Sequence, residues 1–254
     1  MFKNIRILIL LIVLLVVAVG VYQDKNQDWQ KPIYVAVYPV NVDGSAEVAN
    51  YISTLNDKDF QEIESYLKSQ SQKYGQNASF YYRLGDEVKV LAPEIPKNAG
   101  MSQAIIWSLK FRYYAYKHAG DIGVPSSLRL FLNYHNPKTN KELNHTSTAL
   151  ENGRIGVVHL FADSDKTANN NVVIAHESLH AFGATDKYNL TTGQPLEPIG
   201  LGDIVQNPRY PQKYAELMAM HKALSPTKHT MARQLSETVV GELTAMEMGW
   251  LAVP

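Results

Sequence analysis

The stretch His176-Glu177-Ser178-Leu179-His180-Ala181-Phe182-Gly183-Ala184-Thr185-Asp186-Lys187-Tyr188 constrains this chain more than any other. On a helix, His176 and His180 stand four residues apart and project from one face, so two imidazoles can reach one metal ion, with Glu177 beside them. Two ligands are not a site, because a catalytic zinc keeps three protein ligands and an open position. Gly183 can take positive φ, end the helix and turn the chain back under the metal. Asp186 then arrives where a third ligand is needed, and Tyr188 follows it. The plain alternative is an amphipathic helix carrying two ordinary surface histidines.

The pattern His176-Glu177-x-x-His180-x-x-Gly183-x-x-Asp186 resembles the metzincin signature of zinc peptidases. The form is the one in which aspartate replaces the usual third histidine, as in the snapalysin family of small bacterial neutral proteases. Those enzymes also carry a tyrosine two residues after the aspartate, matched here by Tyr188. Metzincins have a methionine turn beneath the metal, and Ala215-Glu216-Leu217-Met218-Ala219 resembles it. Met218 is the candidate, with Met220 and Met231 as substitutes. The chain departs from the pattern in having no tyrosine two residues after Met218, where some metzincins place one that helps hold the substrate oxyanion. The likeness is specific over residues 176–220 and architectural elsewhere.

The resemblance implies a metzincin-type, zincin-like α+β fold. Its parts are a mixed twisted sheet with packed helices, an active-site helix and a small irregular C-terminal subdomain. It also implies Zn2+ held by His176, His180 and Asp186, supported by Gly183, Tyr188 and Met218, and an edge strand on which an extended peptide pairs by β-augmentation. Arg154 to Phe161 is the expected edge. The chemistry would be hydrolysis of peptide bonds by water activated on the metal, with Glu177 as general base. Two other readings compete. A gluzincin-type peptidase would take its third ligand from a downstream carboxylate, Glu237 or Glu242. A membrane-tethered binding or assembly module would hold a metal with no catalytic role.

Residues Ile7 to Val21 form an apolar run preceded by Lys3 and Arg6, the charge order of a segment that keeps its start in the cytoplasm and sends the rest of the chain across. Residues 1–22 are therefore expected to be a membrane anchor, placing the domain outside the cytoplasm as a single-pass protein. Cleavage as a signal peptide, near Ala18 and Gly20, would release it as a secreted or periplasmic protein. A linker is expected over 23–32 and the peptidase domain over 33–254, with an upper part to about 183 and a lower part over 184–254. Lys plus Arg and Asp plus Glu number 24 each, so no field that would recruit nucleic acid is implied, and the partner that the resemblance implies is a peptide or protein substrate. The chain has no cysteine, which excludes disulfide scaffolding, a thiol nucleophile and sulfur ligands.

Ile33 to Val40 alternates as a first strand, and Asp43 or Ser45 caps a helix that Asn56 or Asp57 restarts. Ser79 to Leu84 and Glu87 to Leu91 read as strands, Pro93 to Gly100 as a connector and Met101 to Ala119 as an aromatic-rich helix closed by Gly120. Ser127 to Tyr134 is a further strand, followed by a polar stretch from His135 to Asn152. His159 could face substrate, although a lone strand histidine is more often structural, and His118, His135, His145, His221 and His229 lack ligand spacing. Leu190 to Pro211 loses periodicity and suits a wall of a cleft. Ser236 is expected to cap a last helix with Val239, Val240, Leu243 and Met246 on one face, stopped by Gly249.

Overall fold

Side chains of a strand alternate between the two faces of its sheet, and the central strands here use both. In β1 (Ile33–Asn41), Val35 and Val37 enter one core while Ala36, Tyr38 and Val40 enter another. In β3 (Leu128–His135), Leu128, Leu130 and Leu132 join the first core and Phe131 the second. The sheet order is β2-β1-β3-β5-β4. β2 (Phe80–Leu84), β1, β3 and β5 (Ile155–Phe161) run parallel, whereas β4 (Thr148–Leu150) is antiparallel to β5. The molecule is thus an α+β protein with a mixed sheet and packed helices. The computed structural model describes residues 2–95, 100–141, 147–151 and 153–252, with the side chains of the first helix described only in part. The middle of the expected Pro93 to Gly100 connector and His145 lie outside the described residues.

Helices α2 (Ala46–Thr54), α3 (Gln61–Gln72) and α5 (Thr167–His180) contribute Val48, Ile52, Ile63, Leu67, Val172, Ala175 and Leu179 to the first core. Ser45 caps α2 by accepting the Val48 N–H, and Asn56 forms a capping box with Asp59 at the 3-10 turn leading into α3, so the expected break falls where the caps stand. Helix α4 (Met101–His118) covers the opposite face, where Trp107, Phe111 and Tyr114 pack on Phe131 and Val157. These three aromatics are packing residues, whereas Tyr113 and Tyr116 face outward.

Three expectations are corrected. Glu87 to Leu91 is not a strand, because it makes one backbone bond to the sheet, Val88 N–H to Pro39 O at 2.9 Å. Arg154 to Phe161 is not the edge, since β5 pairs with β3 on one side and β4 on the other. The final helix α6 is shorter than its apolar spacing implied, spanning Glu242–Glu247. Ser236 lies in a 3-10 turn, and β9 (Thr238–Val239) pairs in parallel with β6 (Ala215–Glu216). Gly249, at φ 71°, does end the helix as expected. The stretch after residue 186 is largely irregular, with cis peptide bonds before Pro198, Pro208 and Pro211 and one hairpin of β7 (His221–Ser225) and β8 (Lys228–Met231).

Helix α1 (Phe2–Lys25) carries the apolar run, with Leu10, Leu14, Leu15 and Tyr22 all exposed. Among the described residues no helix is long and apolar enough to cross a membrane. The expected linker 23–32 is partly built into the fold. Trp29 is buried against Phe80, Phe182 and Trp250, and its indole N–H donates to Met248 O at 3.0 Å.

Candidate metal centre

Helix α5 is fixed from both ends before its histidines are reached. Asn170 accepts the Phe161 N–H and donates to Phe161 O, tying the start of α5 to the end of β5. Near its other end Ser178 meets the Tyr82 hydroxyl at 2.7 Å. The helix stops where the glycine allows it: Gly183 adopts φ 100°, and the N–H groups of Gly183 and Ala184 bond back to His180 O and Leu179 O.

The turn brings three ligand atoms together. His176 Nε2 lies 2.9 Å from His180 Nε2, His180 Nε2 lies 3.1 Å from Asp186 Oδ1, and His176 Nε2 lies 3.2 Å from the same oxygen. A tetrahedral zinc with bonds of about 2.0–2.1 Å separates its donor atoms by roughly 3.3 Å, so a triangle of this size fits one ion. The other ring nitrogens point to backbone carbonyls: His176 Nδ1 to Leu217 O at 3.1 Å and His180 Nδ1 to Ala184 O at 2.7 Å. Each Nδ1 therefore carries the proton as donor, which leaves each Nε2 lone pair for a cation. Among the described residues, this is the one group of three or more side chains able to hold a metal ion.

The group is closed on one side and open on the other. The His176 side chain is 2% exposed, that of His180 19% and that of Asp186 32%. Burial pushes the Asp186 carboxyl up, but the hydrogen bonds and charges of the two imidazoles outweigh it and hold the group well below the usual carboxylate range. Glu177 is buried, and among the described residues its Oε2 has no hydrogen-bond partner. Burial raises its carboxyl above the ordinary value against the pull of His176 and His180. A buried carboxylate oxygen left unpaired is costly and calls for an explanation.

Met218 sits, fully buried, in a 3-10 turn (Leu217–Ala219) whose Leu217 carbonyl is the acceptor for His176. Met220 instead caps that turn in the left-handed region, at φ 57°, and Met231 lies in β8. The Tyr188 ring stands 6.5 Å from that of His176 and 6.1 Å from that of His221, and burial pushes its hydroxyl up to about 12. Glu237 accepts the Arg233 N–H and takes no part in the ligand group; nor does Glu242. His159 shares the α4-side face of β5 with Ile155 and Val157, where it meets His135 at 2.8 Å, away from α5.

Several residues escaped the sequence reading. Glu216 accepts N–H groups of Met218, Ala219 and Gly241 and the Thr244 hydroxyl, so it joins the turn under His176 to α6. A charged residue inside the apolar run from Ala215 to Ala219 was the available signal. Lys187, 1% exposed, is paired with Glu247.

No family model matches the chain, and no curated protein matches it. A solved structure described as "Structure of a chaperone-substrate complex" matches with a TM-score of 0.37 at 11% identity, covering 86% of this chain and 34% of that one. The chain thus spans about a third of that neighbour's length.

Proposed function

We propose that the chain is a zinc-dependent endopeptidase of the metzincin kind, with His176, His180 and Asp186 as ligands and Glu177 as general base. The observation that carries this reading is the unpartnered Glu177 Oε2, buried beside three ligand atoms that fit one ion. A purely structural metal has no use for such a group. Nitrogen and oxygen donors suit zinc, which when bound would polarise the scissile carbonyl and acidify water. Glu177 would take a proton from water at Oε2 and return it to the departing amine nitrogen. Its raised carboxyl moves it toward neutrality, where a base both accepts and releases protons. Among the described residues the antiparallel strand β4 has one partner, β5, and its other edge is where an extended peptide would pair. The irregular segment 190–211 would line the same side as the metal through Tyr188, which bridges to Pro195.

Placement outside the cytoplasm, through α1 as an anchor or after its cleavage, is part of the proposal. Its support is the charge order of Lys3 and Arg6 before the apolar run and the exposure of apolar side chains along α1, which lipid would cover. The function is tested by metal analysis of the purified chain and by cleavage of a peptide library. Cleavage that a chelator abolishes and zinc restores supports the proposal. A zinc-loaded protein that cleaves no peptide favours a binding or assembly module instead.

A further inference from the structure

We propose that Glu247 is a positioning residue for the third ligand: its carboxylate brackets Asp186 from both sides and sets where that side chain stands. The inference rests on the metal-centre reading above. Asp186 lies on a loop, and loop side chains reach ligand precision, about 0.5 Å, only when neighbouring groups lock them. The residues on either side of Asp186 are bound by one and the same carboxylate. Glu247 Oε2 accepts the Thr185 N–H at 2.9 Å, and Oε1 accepts the Thr185 hydroxyl at 2.7 Å. Lys187 Nζ donates to both oxygens, at 2.8 and 2.7 Å.

The arrangement is closed. Lys187 is buried, its Nζ also reaches Thr185 O at 2.9 Å, and its backbone N–H donates to Met218 O at 2.9 Å. An ammonium buried one residue from a metal ligand has two costs. It is desolvated, and without a counter-charge it would repel the cation or draw the Asp186 carboxylate to itself. Glu247 answers both. It is the last residue of α6, whose first turn is held by Glu216 to the turn that supports His176. One short helix thereby fixes the support of the first ligand at its start and the loop of the third at its end.

The test is a zinc affinity cycle on the full chain in detergent, by competition with a chelator, for the parent, Glu247→Gln, Asp186→Ala and the double variant. The melting temperature of each metal-free protein is measured alongside. Glu247→Gln is expected to weaken zinc by about 10–100-fold, the usual effect of losing an outer partner of a ligand. Combined with Asp186→Ala it should weaken zinc no further than Asp186→Ala alone, because its effect passes through that ligand. Parental affinity in Glu247→Gln, or a loss that persists in full in the Asp186→Ala background, overturns the proposal and leaves the metal centre standing. A parent that holds no zinc overturns the metal centre and this proposal with it. If Glu247→Gln does not fold, Thr185→Val removes the hydroxyl that donates to Glu247 and accepts from Lys187 Nζ, keeps the ion pair and carries the same cycle with the same expectation.

Discussion

The carbonyl of Leu217 accepts the Nδ1 proton of His176 across 3.1 Å, so a residue in the turn before Met218 sets the tautomer and tilt of the first candidate ligand on α5. That turn is itself held by Glu216, which accepts the Met218 N–H at 2.5 Å and the Ala219 N–H at 3.1 Å. Burial pushes the Glu216 carboxyl up, while its hydrogen bonds from Gly241, Thr244 and Met218 oppose that push. Glu216→Gln keeps the shape but turns an amide NH2 toward donors. Denaturant unfolding of the metal-free protein should register a loss of about 1–3 kcal/mol, the cost of a buried hydrogen bond left unmade. A variant as stable as the parent would mean that the turn is held by packing alone.

The ligand set gives a second prediction. His176→Ala, His180→Ala and Asp186→Ala should each weaken zinc enough for the ion to be lost on dialysis, whereas Glu237→Ala and Glu242→Ala should keep it, since neither carboxylate joins the candidate ligand group. Metal content of the dialysed proteins decides the matter. Full occupancy in Asp186→Ala together with loss in either glutamate variant would transfer the third ligand to the C-terminal region.

A third prediction concerns pH. In the metal-free protein burial pulls the His180 imidazole down, but the Asp186 hydrogen bond and the charges of Glu177 and Asp186 push it up by more, and it ends above the ordinary histidine value. Such a raised group stabilises the fold fully below its unfolded value, and that contribution is lost as pH rises through the folded value. Metal binding has the opposite sign, because the proton must leave before His180 can act as a ligand. Zinc affinity should therefore fall by about tenfold per pH unit on the acid side of the His180 transition. Chelator competition across the range, in buffers of different ionisation enthalpy to count released protons, checks this. Affinity independent of pH would show that His180 is not a ligand.

Trp29 gives a fourth. As a linker residue it would tolerate truncation, but it is 6% exposed, packed on Phe182 two residues past the second histidine and bonded to Met248 O. Trp29→Ala should cost about 3–5 kcal/mol in unfolding, the range for emptying a large aromatic site. A loss below about 1 kcal/mol would return the segment to the role of a tether.

How far the sequence could be read depended on whether neighbours along the chain or partners far away decide an element. The metal helix, its glycine stop and the arrival of Asp186 are local consequences of spacing, and the structure brings His176, His180 and Asp186 together at that turn. The strands β1 and β3 were legible, β1 from the alternation and β-branched content of Ile33 to Val40 and β3 from the alternating Leu128, Leu130 and Leu132, which bury one face while Phe131 buries the other. Strand β4 was not, since Thr148 to Leu150 lies in a polar stretch and is a strand only because it pairs with Ile155 to Val157. The last helix was read too long for the same reason: Val239 has helical spacing to Leu243 and Met246, but pairing with Glu216 draws it into β9. The pairing of Lys187 with Glu247 likewise joins residues that no local pattern links.

The central claim is that Glu177 moves a proton and does not hold the metal. Among the described residues its Oε2 has no hydrogen-bond partner, and its neighbour His176 belongs to the group that could hold a metal ion. Glu177→Gln keeps the side-chain shape and removes the base. The most direct measurement is therefore zinc content and peptide hydrolysis on the same preparations of parent and Glu177→Gln. Equal zinc is expected, with a rate lower by about two to four orders of magnitude, the contribution of a positioned general base. Near-parental hydrolysis by the zinc-loaded variant would contradict the claim.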